Sequence, residues 1–144
     1  WNGKKSDIKS GIFVKPLDDI KLFTGFVIKN VDHFDFFTDG KVLEDTELLF
    51  SEKISILDEY RTWFSNGKTL DIRPYYTKDI IGLELNTQLV EDCNKEISSL
   101  YKKSFSADYG ITNNGETVLI EVNDKHGTGT YGFNGPNLWQ LMIN

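Results

Sequence analysis

FSADYGITNNGETVLIEVND, Phe105 to Asp124, is the stretch whose reading decides the fold. Asn114-Gly115 is a strong signal for a two-residue hairpin turn, because both residues tolerate positive φ. With that loop, Asn113 pairs with Glu116 and Asp108 lies directly across from Glu121. Strand side chains alternate with period two. Tyr109, Ile111, Val118, Ile120 and Val122 then share one face, and Asp108, Thr112, Thr117, Glu121 and Asn123 share the other. Only Leu119 breaks the sorting, and a three-residue loop would mix the faces. Asp108, Glu121 and Asn123 present two carboxylates and an amide oxygen, hard donors suited to Mg²⁺. Any half-exposed hairpin also alternates in this way, so the pattern alone leaves an ordinary solvated face open.

Working toward the N-terminus, a second hairpin is expected over Asp58 to Tyr75, closed by Ser65-Asn66-Gly67 as a three-residue loop with Gly67 in the left-handed position. Phe64 would then pair with Lys68. Tyr60, Phe64, Leu70 and Ile72 would share one face. Glu59 would lie opposite Arg73, and Arg61 opposite Asp71. Arg61 and Arg73 are the only arginines among 16 basic residues. Arginine grips phosphate through a planar fork that lysine cannot copy. The plainer alternative is a ladder of cross-strand ion pairs, each worth roughly 0.2–1 kcal/mol.

Farther back, Ile12-Phe13-Val14 is a β-rich apolar run ending in Lys15-Pro16. Proline cannot donate to a ladder and biases Lys15 toward extended backbone. Lys15 is therefore expected at a strand end, where a point charge can reach a phosphate. Lys21 follows in a short segment closed by Phe23-Thr24-Gly25.

Together FVKP, KLFTG, LLFSEKI followed by DEYR, SADYG and IEVND resemble the ATP-grasp superfamily, from about Gly11 to Met142. They look most like its divergent bacterial and phage branch, whose signature is two arginines and a lysine. SADYG…IEVND is the most specific part. The resemblance implies an α+β, two-lobed fold with the nucleotide in a cleft between two β-sheets. The N-terminal lobe would be residues 1–48 and incomplete, the hinge 49–54, and the C-terminal lobe 55–144 with the phosphate and metal residues. It implies Mg²⁺ on Asp108, Glu121 and Asn123, and Lys15 near the α/β-phosphates with Lys21 as the second lysine. Adenine would lie against the hinge residues Phe50, Ser51, Glu52, Lys53 and Ile54. Arg61 and Arg73 would face phosphate, and Glu59 occupies the acidic position after the hinge. The implied activity is Mg²⁺-dependent, ATP-dependent carboxylate–amine ligation through an acyl phosphate, with small-molecule or peptide acid and amine substrates. A nucleotide-binding module without turnover and a kinase using the same site remain alternatives. So does an α+β interaction domain that binds no nucleotide. The chain departs from the family in its short, glycine-poor loop KPLDDIKLFTG and in lacking an N-terminal acceptor domain. It starts at Trp1 and stops in an expected helix, Pro136 to Asn144, which suggests a piece of a longer protein.

Composition fits a cytoplasmic globular domain. The 144 residues suffice for one core. Apolar content of 39% and aromatic content of 13% favour folding over disorder. A net charge of −6 argues against a general nucleic-acid or anionic-membrane surface. The single cysteine, Cys93, excludes an internal disulfide and is expected as a small core residue. No apolar run approaches a membrane span. Other strands are expected at 12–17, 25–29, 47–51 and 80–85, and a short helix at 31–38 capped near Asp32. A longer helix is expected over 87–102, with Leu89, Val90, Cys93, Ile97, Leu100 and Tyr101 at helical spacing. Lys102 and Lys103 suit its C-terminal dipole.

GTGTYG, Gly127 to Gly132, matches G-x-G-x-x-G in letters only. A dinucleotide site needs that turn between a strand and a helix with an acidic residue about 20 positions on, and 12 residues remain after Gly132. The segment 125–135 is expected instead as a mobile loop near the acceptor, with His126 placed to touch substrate. His33, among aromatic residues, is expected to be structural.

Overall fold

A computed structural model of the chain describes residues 11–17, 22–38, 42, 46–76, 82–126 and 128–143. The chain divides into two compact units, Trp1–Ile54 and Ser55–Asn144. Each has its own sheet and core, giving the expected α+β architecture with two sheets.

The first unit is an antiparallel sheet of β1 (Ile12–Pro16), β2 (Phe26–Val27) and β3 (Leu48–Glu52), in the order β2-β1-β3. Helix α1 (Val31–Thr38) follows β2. Val14, Phe23, Ile28, Phe34 and Leu48 form the core. The α1 cap is Asn30, not Asp32: its side-chain oxygen accepts the His33 backbone N–H at 2.8 Å. Asp32 lies inside the first turn, where a carboxylate still suits the dipole. His33 packs between the rings of Phe26 and Phe37, at 5.6 and 4.4 Å, as a structural residue.

The second unit contains β4 (Ile56–Ser65), β5 (Lys68–Tyr76), α2 (Thr87–Tyr101), β6 (Phe105–Thr112), β7 (Thr117–Asp124) and α3 (Pro136–Ile143). Its sheet is antiparallel throughout, in the order β5-β4-β6-β7. Every residue of β6 is buried, because both faces of the sheet are covered. On one face α2 packs its Val90 against Phe64, Phe105, Ala107 and Tyr109. On the other, Phe133 and Leu141 of the C-terminal segment pack against Trp63 and Leu70.

Helix α2 is capped at its N-terminus by Asn86, whose side chain accepts the Leu89 N–H at 3.0 Å, and at its C-terminus by Lys102 in the left-handed region. Of its expected apolar stripe, Val90 is buried, and Cys93 and Ile97 are half-buried against the core. Leu89, Leu100 and Tyr101 are exposed. Asn94 takes the central position instead. It accepts the Tyr109 hydroxyl at 2.8 Å and donates toward Thr62 and Thr69. A hydrophobic count overlooks such a residue, because its burial depends on partners brought from three strands. The strand expected over 80–85 is not found at Gly82–Leu85, and Ile80 and Ile81 lie outside the described residues. Among the described residues no helix is long and apolar enough to cross a membrane.

Both hairpin loops differ from the expected ones. The first is a two-residue Asn66-Gly67 turn with Ser65 opposite Lys68. Asn66 and Gly67 both have positive φ, 53° and 78°, the conformation that follows strand twist in tight hairpins. A bulge then lets Leu70 leave the ladder and join Trp63. The ion-pair ladder expected between β4 and β5 therefore does not form: Arg61 lies opposite Arg73, Trp63 opposite Asp71, and Glu59 opposite Tyr76. The second loop has three residues, Asn113, Asn114 and Gly115, between Thr112 and Glu116. The Thr112 hydroxyl oxygen accepts the N–H groups of Asn114 and Glu116, at 3.3 and 3.2 Å, which favours the longer loop.

Candidate functional site

A bulge at Ile120 adds one residue to β7 and cancels the register change caused by the longer loop. Asp108 consequently lies opposite Glu121, and Ser106 opposite Asn123. Tyr109 pairs with Leu119, so Leu119 takes the place expected for Ile120. Ile120 instead turns over Gly110, where its side chain comes within 2.9 Å of the position a Cβ would occupy. Ile56 approaches the same position to 2.9 Å. This close approach favours glycine at 110.

Residues directly opposite on neighbouring strands point to the same face. Arg73 on β5, Arg61 on β4, Asp108 on β6 and Glu121 on β7 therefore form one row across all four strands. The adjacent row is Asp71, Trp63, Ser106 and Asn123. Glu59, opposite Gly110, continues the same face.

Within the first row, the Nε and one Nη of Arg61 donate to the two carboxylate oxygens of Asp108, both at 2.7 Å. Their side chains are only 10% and 2% exposed. A fork this short and this buried is a charge-assisted pair of the strong kind. Arg73 is held differently, by Asp71 of its own strand at 2.8 Å, and is 44% exposed. Glu121 and Asn123 are half-buried, and neither side chain makes a hydrogen bond or ion pair within the described residues. No group of three or more His, Cys, Asp or Glu residues able to hold a metal ion occurs among the described residues; the third donor here is an amide.

The segment after β7 lies on this same face. Ser106 donates to the Thr128 hydroxyl at 3.2 Å, Phe133 stacks on Trp63 at 4.7 Å, and the Tyr131 ring covers Arg61 at 5.2 Å from its guanidinium carbon. Sequence reading placed this segment near the site because it follows the metal ligands, but missed Tyr131, Thr128 and Phe133. His126, which sequence reading favoured, is exposed, with its backbone N–H donated to the Asp124 carboxylate.

The other expected site residues belong to the first unit. Lys15 is half-buried on β1, opposite Leu49. Phe50 packs against the first core, while Ser51, Glu52, Lys53 and Ile54 are exposed at and beyond the end of β3. Lys21 lies outside the described residues.

Residues 2–141 match the family described as ATP-grasp domain, R-2-K clade family 2. The chain belongs to this family. Among solved structures, the ATP-grasp chain resembles N5-carboxyaminoimidazole ribonucleotide synthetase of Thermotoga maritima. The TM-score is 0.60 at 13% identity, over 91% of this chain and 38% of that one. The Staphylococcus aureus N5-carboxyaminoimidazole synthetase complexed with ADP matches with a TM-score of 0.56 at 12% identity, over 92% and 39% of the two chains. The D-alanine-D-alanine ligase of Coxiella burnetii matches with a TM-score of 0.57 at 16% identity, over 92% and 44%. At these identities the likeness is one of fold. Among curated proteins, the chain is 28% identical over 130 residues to the PolC-type DNA polymerase III of Ureaplasma parvum serovar 3, covering 89% of this chain and 8% of that protein. The ATP-grasp chain thus spans well under half the length of these relatives.

Proposed function

We propose that this ATP-grasp chain is the core of an ATP-dependent carboxylate–amine ligase. The observation that carries the reading is the row Arg73, Arg61, Asp108 and Glu121 on one face of a four-stranded sheet, in a chain of this family. Such a row offers cations to phosphate oxygens and carboxylates to a hard cation. Arg61 and Arg73 correspond to the arginines of the two-arginine-plus-lysine signature, with Lys15 as its lysine. Lys15, Lys21, Phe50, Ser51, Glu52, Lys53, Ile54 and Glu59 are the proposed nucleotide contacts.

The donor set suits Mg²⁺. Asp108, Glu121 and Asn123 supply only oxygen donors, and the last two have no internal partner among the described residues. Each Asp108 oxygen keeps lone pairs beyond the one Arg61 engages. When bound there, Mg²⁺ would supply neutralisation of phosphate charge.

A carboxylate oxygen of the acid substrate attacks the γ-phosphorus, and the bond to the β,γ-bridging oxygen breaks with ADP as leaving group. The amine nitrogen then attacks the acyl carbon, phosphate leaves and the amine proton passes to solvent. Arg61 and Arg73 hold and neutralise the transferring group, so positioning and electrostatics dominate and no protein nucleophile is needed. A cytoplasmic setting with small-molecule or peptide substrates belongs to the same reading.

One observation favours a second reading, a nucleotide-binding module without turnover: both Asp108 oxygens already accept a hydrogen bond from Arg61, which weakens them as metal donors. Hydroxylamine added with ATP, Mg²⁺ and a panel of acids separates the readings. The ligase forms a substrate hydroxamate with ADP in step. A stable phosphoester with no hydroxamate identifies a kinase. Nucleotide binding without ADP release identifies the binding module.

A further inference from the structure

We propose that Tyr131 is a positioning residue for Arg61, holding the guanidinium in one place on the sheet beside the proposed phosphate site. The ligand in this inference rests on the reading above; the contact between ring and guanidinium does not.

Three independent features place the ring. Tyr131 has φ 47°, a left-handed conformation that a large L residue rarely adopts. Such backbone outliers persist where the surroundings enforce them and gather at working sites. Those surroundings are present. Thr128 is hydrogen-bonded to Ser106, and Phe133 is stacked on Trp63, so the segment is anchored to the sheet on both sides of Tyr131. The flanking glycines are adapted to the ring. A Cβ at Gly129 would lie 3.2 Å from a Tyr131 ring atom, and Gly132 takes φ 86° immediately after it.

The result is a guanidinium fixed in two ways. Asp108 takes two N–H donors along its edge, and the guanidinium carbon lies over the Tyr131 ring, 5.2 Å from its centroid. The edge contact sets where the charge lies. The ring contact adds a second point of support, a cation–π contact that strengthens with desolvation. Together the two contacts leave the guanidinium less freedom than either gives alone.

The test uses the full chain and Tyr131→Phe, Tyr131→Leu and Tyr131→Gly. The first readout is the Arg61 Nε–H resonance, which an aromatic ring above the guanidinium shifts by its ring current. It stays in place in Tyr131→Phe and moves in Tyr131→Leu and Tyr131→Gly. The second is MgATP affinity, unchanged within about 2-fold in Tyr131→Phe and weakened roughly 3- to 30-fold in the other two, the range such a contact spans. Tyr131→Gly suits the left-handed backbone and provides the control for folding: its melting temperature holds while its affinity falls. A resonance unmoved by Tyr131→Leu, or a Tyr131→Gly affinity equal to that of the natural chain, overturns the proposal. If the natural chain binds no MgATP, the ligase reading fails, and the resonance alone decides the positioning role.

Discussion

Arg61 and Asp108 face each other across the two central strands of the second unit, and Arg61 donates two hydrogen bonds of 2.7 Å to the Asp108 carboxylate. This pair connects the row of charges to the core. It ties the arginine proposed for phosphate to a carboxylate proposed for metal, in a setting where neither tolerates loss of the other.

Arg61→Lys should therefore be destabilising, by about 1–3 kcal/mol, since a point charge cannot replace a buried fork. Arg73→Lys should change stability by less than about 1 kcal/mol, because Arg73 is exposed and its ion pair is screened. Denaturant midpoints check the order, and MgATP affinity should follow it. Equal, small losses in both variants would contradict the special place given to Arg61.

Glu121→Gln separates ligand binding from folding. Glu121 is half-buried with no internal partner among the described residues, so its melting temperature should barely change. Mg²⁺-dependent nucleotide binding should fall by about tenfold or more, since a hard cation loses a charged donor. Calorimetric titration of ATP with and without Mg²⁺ makes the comparison, and an unchanged Mg²⁺ dependence would remove Glu121 from the site.

Gly110→Ala places a methyl group within 2.9 Å of both Ile120 and Ile56. Overpacking of this kind costs typically about 1–3 kcal/mol. Trimming Ile120 to Val in the same chain should recover part of the loss, because Ile120 is at the tight contact. A melting curve that does not respond to Gly110→Ala would contradict the close approach.

Tyr109 provides a pH test. Burial raises its phenol far above the ordinary tyrosine value of 10.0. The folded state then keeps a proton that the unfolded chain releases above pH 10.0, so stability is complete below that pH and declines as pH rises beyond it. Tyr109→Phe should flatten this alkaline decline. It should also cost about 1–3 kcal/mol at neutral pH, because the Asn94 side-chain oxygen loses its buried donor. Alkaline unfolding curves that superimpose for the two proteins would contradict the assignment.

The strands of both hairpins were legible because period-two patterning survives almost any tertiary setting. The loops were not. Asn66-Gly67 and Asn114-Gly115 carry the same letters, yet the first closes a two-residue turn and the second ends a three-residue one. The difference lies in neighbours: Thr112 accepts two backbone N–H groups inside the longer loop. Bulges then changed the register again, at Leu70 and at Ile120. The Asp108–Glu121 pairing follows from the simple two-residue loop only because the extra loop residue and the bulge cancel. The pairing of Arg61 with Asp108 was out of reach, since β4 and β6 are separated by a strand and a helix and nothing local specifies that they are neighbours. Tyr131 was hidden for a related reason. Its significance comes from what lies beneath it.

The central claim, that the charged row binds a nucleotide phosphate with Mg²⁺, is tested most directly by the thermal unfolding of the natural chain in ATP with and without Mg²⁺. Ligand at about 100 times its dissociation constant adds about 2.7 kcal/mol to stability. The account predicts a clear rise in melting temperature with ATP and Mg²⁺ together, and little with either alone. No rise with the pair, or the same rise with ATP alone, would contradict it.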